Sequence, residues 1–420
     1  MTAETEVVVI GAGAAGLSAA KELTRLGIPC TVIEASHRIG GRAYSEEIMP
    51  GAWFDLGCAW LVGGEANPFA EIGDALGIAL GRHAADAYKP GNNRFTRNGA
   101  ALSPEQHADC RRYYDDCNKA IASAAERDWD VAISEVIDLD HEYAAPFLCG
   151  VTTAWGVDAD GVSAADYASA VGELGFPVLR GYGNLIAAWG ADVEVTLNAR
   201  AERIDWSGSG VTVATPKGTV SARRAIVTVS TGMLGSGEVG FSPGLPDWKL
   251  EAIHGLPMGT ENKMGVAFDK DVFGDEGRGY YWVWSEGGDT ARLDAGAIGL
   301  NVAPVFVGGS YGIWLEKQGP QACRDFAVDS VAEVFGNDIR KHVVGCITTA
   351  WSSDPWTRGS WACALPGQAH QRTHLARAID DRLFFAGEAT EIGGQGTCDG
   401  AYRSGIRAAR DIAARMKLAS

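Results

Sequence analysis

Three glycines, Gly11, Gly13 and Gly16 in the run GAGAAG, follow the short apolar stretch Val7 to Ile10 and precede an amphipathic segment from Leu17 to Leu26. That order of strand, tight turn and helix suits a dinucleotide phosphate. The glycines permit the turn, the approach of backbone to pyrophosphate and the close packing of helix on sheet, while the helix N-terminus presents free N–H groups to the phosphates. Glu34 closes the next apolar run, TVIEA, where a carboxylate can accept hydrogen bonds from a ribose. A bare glycine pattern would be weak; with strand, helix and a suitably spaced acid it specifies a dinucleotide site. These residues leave NAD and FAD equally open.

The residues after Glu34 distinguish the two. EASHRIGGRAYS, Glu34 to Ser45, resembles the EAxxRxGGR signature of the flavin-containing amine oxidase family, and the resemblance extends over essentially the whole chain. It implies bound FAD, with Gly11, Gly13, Ala15, Gly16, Glu34 and Ala35 at the cofactor. It adds Gly40 and Gly41, which let the backbone approach the cofactor a second time, and Arg38 and Arg42 as positive forks near the diphosphate and the flavin. WFDLGCAW, Trp53 to Trp60, looks like the family's segment under the flavin and contributes Gly57 and Trp60. RLFFAGEAT, Arg382 to Thr390, resembles its C-terminal flavin-binding strand, in which Glu388 holds the ribityl chain. GTCDGAYRSGIRAARDI resembles its final helix, whose N-terminus points at the flavin pyrimidine, with Thr397 at its start.

The same resemblance furnishes a catalytic set. Lys263, in MGTENKMGVAFD, stands where the family places a lysine that holds a water against flavin N5; taken alone, it would read as a solvated strand lysine. Within TAWSSDPWTRGSWACALPG, Trp351 is expected near the isoalloxazine and Trp361 as one wall of an aromatic amine cage. Thr397 takes the place of the second cage tyrosine of monoamine oxidases, so the cage is half open and the resemblance is nearer to polyamine oxidases and lysine demethylases. Ser360 stands where the mitochondrial type carries its flavin-bonding cysteine, so FAD is expected to be non-covalent, although Cys363 lies close by. Val62 sits where polyamine oxidases often carry a histidine or glutamate, and Trp60, Val62, Trp361 and Asp399 are the substrate-side candidates, Asp399 being equally suited to capping a helix. L-Amino acid oxidases of the superfamily bear an arginine shortly after the GGR region, where this chain has Gly57, Cys58, Ala59 and Trp60, so a carboxylate substrate is disfavoured. The demethylases' inserted tower does not fit within 420 residues.

Positioning these residues requires an α/β fold. A helical pattern runs from about Gly81 to Gly172, alternating strands from Val193 to Leu234, further strands over 255 to 315, and a helix from Gly400 to Lys417. RGYGNLI, Arg180 to Ile186, resembles the family's turn back into the cofactor domain. The expected architecture is a Rossmann-type FAD-binding domain of 1–80, 180–255 and 368–420, interleaved with a substrate-binding domain of mixed sheet plus helices from 81–179 and 256–367. The aromatic run Tyr280, Tyr281, Trp282 and Trp284 reads as core or interface.

The function expected is FAD-dependent oxidation of a small amine to an imine, with O2 becoming H2O2 and the imine hydrolysing. An amine dehydrogenase passing electrons to a carrier is the alternative. A serine hydrolase through GGSYG and Ser310 is a distant one, and the nucleophile elbow it needs is tested by geometry. A net charge of -17 repels nucleic acid and anionic membranes; the resemblance implies a small amine and O2 as partners, and a homodimer is kept open. None of the nine cysteines forms CxxC, and His370 and His374 lack the HExxH glutamate, so no metal is expected. No apolar stretch reaches the roughly 18 residues of a membrane span, and MTAETEVVVI lacks a secretory pattern, so the expected location is cytoplasmic.

Overall fold

A computed structural model describes residues 2–83, 93–127, 129–170, 175–285, 290–296 and 299–419. Among the described residues, two large sheets organise the chain. The first has eight strands, with Thr2–Ile10 at its heart. This strand pairs in parallel with Cys30–Ile33 on one side and Gly218–Val227 on the other, placing Val8 beside Thr31 and Ala225. Leu383–Phe385 returns to the same sheet, parallel to Gly218–Val227, from the far end of the sequence. A strand flanked on both sides and covered on both faces must be apolar at every position, and Val7, Val8, Val9 and Ile10 are all buried.

Helix Ala14–Arg25 leaves the end of that first strand, and the final helix Cys398–Ala419 lies against it. Contact between the two is close enough that a Cβ on Gly405 would strike Ala15 O and Ser18 Oγ. Ser18 Oγ donates to Tyr402 O at 2.8 Å, tying the helices together.

The second sheet has seven strands in the order Val343–Thr348, Glu261–Phe268, Val302–Gly308, Thr290–Ala295, Gly279–Trp284, Arg94–Arg97 and Ala100–Ala101. Strand periodicity divides its faces. Met264, Val266, Leu293, Val305 and Val307 turn to one side, into a core with helix Pro320–Phe335. Phe95, Trp282 and Trp284 turn to the other, into a core with helices Pro104–Glu126 and Ala144–Trp155.

The expected strands and the terminal helix are present. Within the stretch expected to be helical, helices Pro104–Glu126, Ala144–Trp155 and Ala164–Ser169 form, but Arg94–Arg97 is a strand paired in parallel with Gly279–Trp284. Four residues held by a distant partner leave no periodicity to detect. Residues 84–92, 128, 171 and 172 of that stretch lie outside the described residues. The strands of the first sheet come from 2–33, 195–242 and 383–385, those of the second from 94–101 and 261–348. Among the described residues no helix is long and apolar enough to cross a membrane.

Candidate active site

A cavity of about 600 Å³ runs between the two sheets, within the usual range for ligand pockets. One end is the glycine turn. Gly11 adopts φ +107, which side-chain-bearing residues avoid, and a Cβ on Gly16 would land on Gly11 O. Both glycines are therefore required by the protein itself. Gly13 differs: its nearest protein neighbours to an added Cβ are Gly41 Cα at 3.8 Å and Gly40 O at 3.9 Å, ordinary contacts, and it lines the cavity. Only an occupant of the cavity would need Gly13 bare.

Helix Ala14–Arg25 has no side-chain cap, so its first N–H groups are left for the cavity that Ala14 and Ala15 line. The final helix also begins there, at Cys398. Two positive helix ends thus converge on one cavity, an arrangement suited to an anionic diphosphate and a charge-accumulating ring.

Glu34 accepts from Ala12 N at 2.7 Å and Ser36 N at 2.8 Å, holding the turn while its carboxylate still borders the cavity beside Ala35. Each carboxylate oxygen has a second lone pair for a ribose hydroxyl. Gly40 N donates to Ala12 O at 2.8 Å, and Gly41 approaches Gly13 closely. This glycine pair lets two loops approach each other as well as the cavity. Arg38 donates to Gly41 O at 2.8 Å and stacks its guanidinium 3.8 Å from the Tyr44 ring centroid. Arg42 donates to Ser360 O at 2.8 Å and to Glu388 at 2.9 Å. The Glu388 carboxylate also accepts from Ala362 N and Gly396 N.

At the other end stand Lys263, Trp60, Val62, Trp351, Trp361 and Thr397. Lys263 is buried because Glu261–Phe268 is covered on both faces. Its Nζ donates to Gly57 O and lies 5.3 Å from the Trp60 ring centroid. Burial pushes its ammonium below the ordinary lysine value, while Glu261, Asp55 and Cys58 pull the other way. Trp351 Nε1 donates to Leu56 O at 3.2 Å. Two side chains expected to act on a cofactor thus grip consecutive carbonyls of the same loop. Trp361 packs against Gly396, where a Cβ would come within 3.4 Å of the indole.

Two expected residues stand elsewhere. Gly16 does not border the cavity; it is the packing point behind Gly11. Asp399 is also off the cavity, buried and paired one helical turn on with Arg403. It does not provide the helix cap: Thr397 Oγ1 accepts from Gly400 N at 3.0 Å in the N-cap manner. Tyr280, Tyr281, Trp282 and Trp284 are buried and do not border the cavity. Ser310 sits exposed on the first turn of helix Gly309–Gln318, outside the cavity, with its N–H on Asp158. It offers no nucleophile to this site.

The cavity also contains residues that sequence reasoning did not single out: Glu261, Arg292, Arg372, Cys58 and Cys398. Arg372 forms a buried fork with Asp166 at 2.6 and 2.7 Å. Alternation in ENKMGVAF would have put Glu261 on the face of Lys263; nothing local marks Arg372.

The flavin containing amine oxidoreductase model matches residues 14–108 and 162–413. Polyamine oxidase 2 of Arabidopsis thaliana is 29% identical over 453 residues, covering 99% of this chain and 89% of its own length. Polyamine oxidase 4 of Oryza sativa subsp. japonica is 28% identical, covering 98% and 89%. Among solved structures, putrescine oxidase bound to putrescine superposes with a TM-score of 0.82 at 22% identity, over 99% of this chain and all of that one. Cyclohexylamine oxidase from Brevibacterium oxydans does so at 0.79 and 21%, over 98% and 99%. These two likenesses establish the fold. Because the family match takes in strands of both sheets and helices at both ends of the cavity, the chain belongs to the flavin-containing amine oxidoreductases, with FAD as its cofactor.

Proposed function

We propose that this enzyme oxidises a small amine to the imine at the expense of O2, which leaves as H2O2, and that water then hydrolyses the imine to a carbonyl compound and the smaller amine or ammonia. Two hydrogens leave the substrate, one from Cα as hydride and one from nitrogen as a proton, and both appear in H2O2. The observation that carries the reading is the continuity of one cavity from Glu34 and the bare Gly13 to Lys263, Trp60 and Trp361.

The fit to FAD is good at both ends: an uncapped helix start with Gly13 for the diphosphate, Glu34 for a ribose, and a second helix start at Cys398 for a ring. When bound, FAD supplies the hydride acceptor and passes the electron pair to O2. The chain's own groups do the rest. Trp361 walls the place where the amine sits, in its neutral form, with Cα towards the cofactor. Lys263, with one N–H taken by Gly57 O, keeps its remaining hydrogen-bonding capacity for a water and for the reaction with O2. Trp351 and Lys263 together hold the Leu56–Gly57 backbone where it borders the cavity. Dissociable FAD is supported by Ser360 at the cavity and by Cys363, whose buried thiol is turned out of it and pushed well above its ordinary pKa by burial.

The test is an anaerobic absorbance titration of the purified yellow protein with a panel of amines, followed by air and a peroxide assay. Bleaching by one amine with recovery and peroxide in air is expected. Bleaching without recovery would replace O2 by a carrier, and no bleaching by any amine would overturn amine oxidation.

A further inference from the structure

Arg292 borders the same cavity from strand Thr290–Ala295. It lies directly opposite Phe306, which on its other side lies opposite Lys263. Directly opposed residues share a sheet face, so arginine, phenylalanine and lysine form one row. The Arg292 side chain is only 10% exposed, and among the described residues its Nε–H has no hydrogen-bond partner. Glu261 is its ion-pair partner at 3.7 Å, a separation beyond hydrogen-bond reach. The guanidinium is held between rings, 4.4 Å from the Phe306 centroid, 5.6 Å from Tyr280 and 5.8 Å from Trp282. Stacking orients a planar fork without using its donors.

A buried guanidinium with an unanswered donor is costly, and a fixed fork of this kind matches a carboxylate. Building on the amine-oxidation reading, we propose that Arg292 is an anion-binding residue of the active cavity and that the amine oxidised also carries a carboxylate, as in an amino acid or an amino-terminated aliphatic acid. The sequence comparison with amino acid oxidases looked for an arginine just after the GGR region. Here the arginine arrives from a different strand.

Charge balance favours this over a polyamine. A second ammonium placed at Glu261 would have both Arg292 and Lys263 beside it. Burial pushes the Glu261 carboxyl up, against the pull of Lys263 and Arg292, and the Lys263 ammonium down, against the pull of Glu261 and Asp55.

The test is calorimetric titration of the FAD-loaded protein with 4-methylpentanoate and with its carboxamide, neither of which carries an amine to oxidise. The carboxylate should bind roughly tenfold or more tightly than the amide. Arg292→Met should abolish the preference and Arg292→Lys should reduce it, each checked for bound FAD and thermal melting. Equal binding of acid and amide by the wild type, which needs no variant to fold, overturns the proposal, as does a preference that survives both substitutions. Peroxide assays with leucine, 4-aminobutyrate and putrescine separate the two readings. Peroxide from putrescine with no acid preference removes the anion site and leaves amine oxidation standing. Acid preference with no peroxide from any of the three keeps the anion site and removes the peroxide-forming reaction proposed for these amines.

Discussion

Arg42 and Glu388 are 346 residues apart and form an ion pair at 2.9 Å that closes one wall of the cavity. Glu388 is simultaneously the acceptor for Ala362 N and Gly396 N, so one carboxylate joins the GGR loop, the Trp361 strand and the approach to the final helix. Removing it leaves a part-buried guanidinium and two N–H groups unanswered. Glu388→Ala should destabilise the protein by about 3 kcal/mol and release FAD during gel filtration, with Glu388→Gln milder on both counts. Full flavin retention and an unchanged Tm in the alanine variant would show that Arg42 finds other partners.

The glycine turn separates folding from binding. Gly16→Ala puts a methyl group onto Gly11 O and should cost about 2–3 kcal/mol of stability. Gly13→Ala meets only ordinary contacts within the protein, so the variant should fold, yet purify colourless or bind added FAD much more weakly. A yellow Gly13→Ala protein with wild-type affinity would contradict the placement of diphosphate at this turn.

Lys263→Met keeps the bulk of the buried side chain and removes its amine. Turnover measured as peroxide release should fall roughly a hundredfold, with the flavin spectrum and FAD content close to wild type. Wild-type peroxide production would remove the lysine from the chemistry.

Acid should act on the helix pair that flanks the cavity. Hydrogen bonds from Arg25 pull the Glu22 carboxyl down from 4.5 to about 2, assisted by Arg410 on the final helix and opposed by burial. A carboxyl depressed in the folded state contributes its stability above the unfolded value and loses it as pH falls through the folded one. Glu22→Gln should therefore lower Tm at neutral pH, and the gap to wild type should shrink between about pH 4.5 and about pH 2. A constant gap across that window would mean that Glu22 contributes packing alone.

Much of the cofactor end was legible because its chemistry is local. Gly11, Gly13 and Glu34 lie within a span of 24 residues, and turn geometry restricts which residue types can stand there, whereas Gly40 and Arg42 came with the family resemblance. The substrate end depended on resemblance for Lys263 and Trp361, since an isolated lysine or tryptophan in a strand has no local signature. At Asp399 both readings were open, since an acid near a helix start suits a cap or a ligand; the structure pairs the carboxylate with Arg403 while Thr397 takes the cap.

By itself, then, the amino-acid sequence determined the dinucleotide turn from spacing along the chain, the family from the resemblance of its motifs, and most of the order of helices and strands, though not the strand Arg94–Arg97. Only the tertiary structure decided which glycine is free for a ligand, that Arg42 and Glu388 satisfy each other, and that Arg292 faces a cavity. In TARLDA the alternation of Ala291, Leu293 and Ala295 with Arg292 and Asp294 reads as one buried and one solvated face. Phe306 and Trp282 on the neighbouring strands, and the helices packed beyond them, bury that second face and turn its arginine inward. Burial is a property of what lies across the sheet, and no spacing within one strand encodes it.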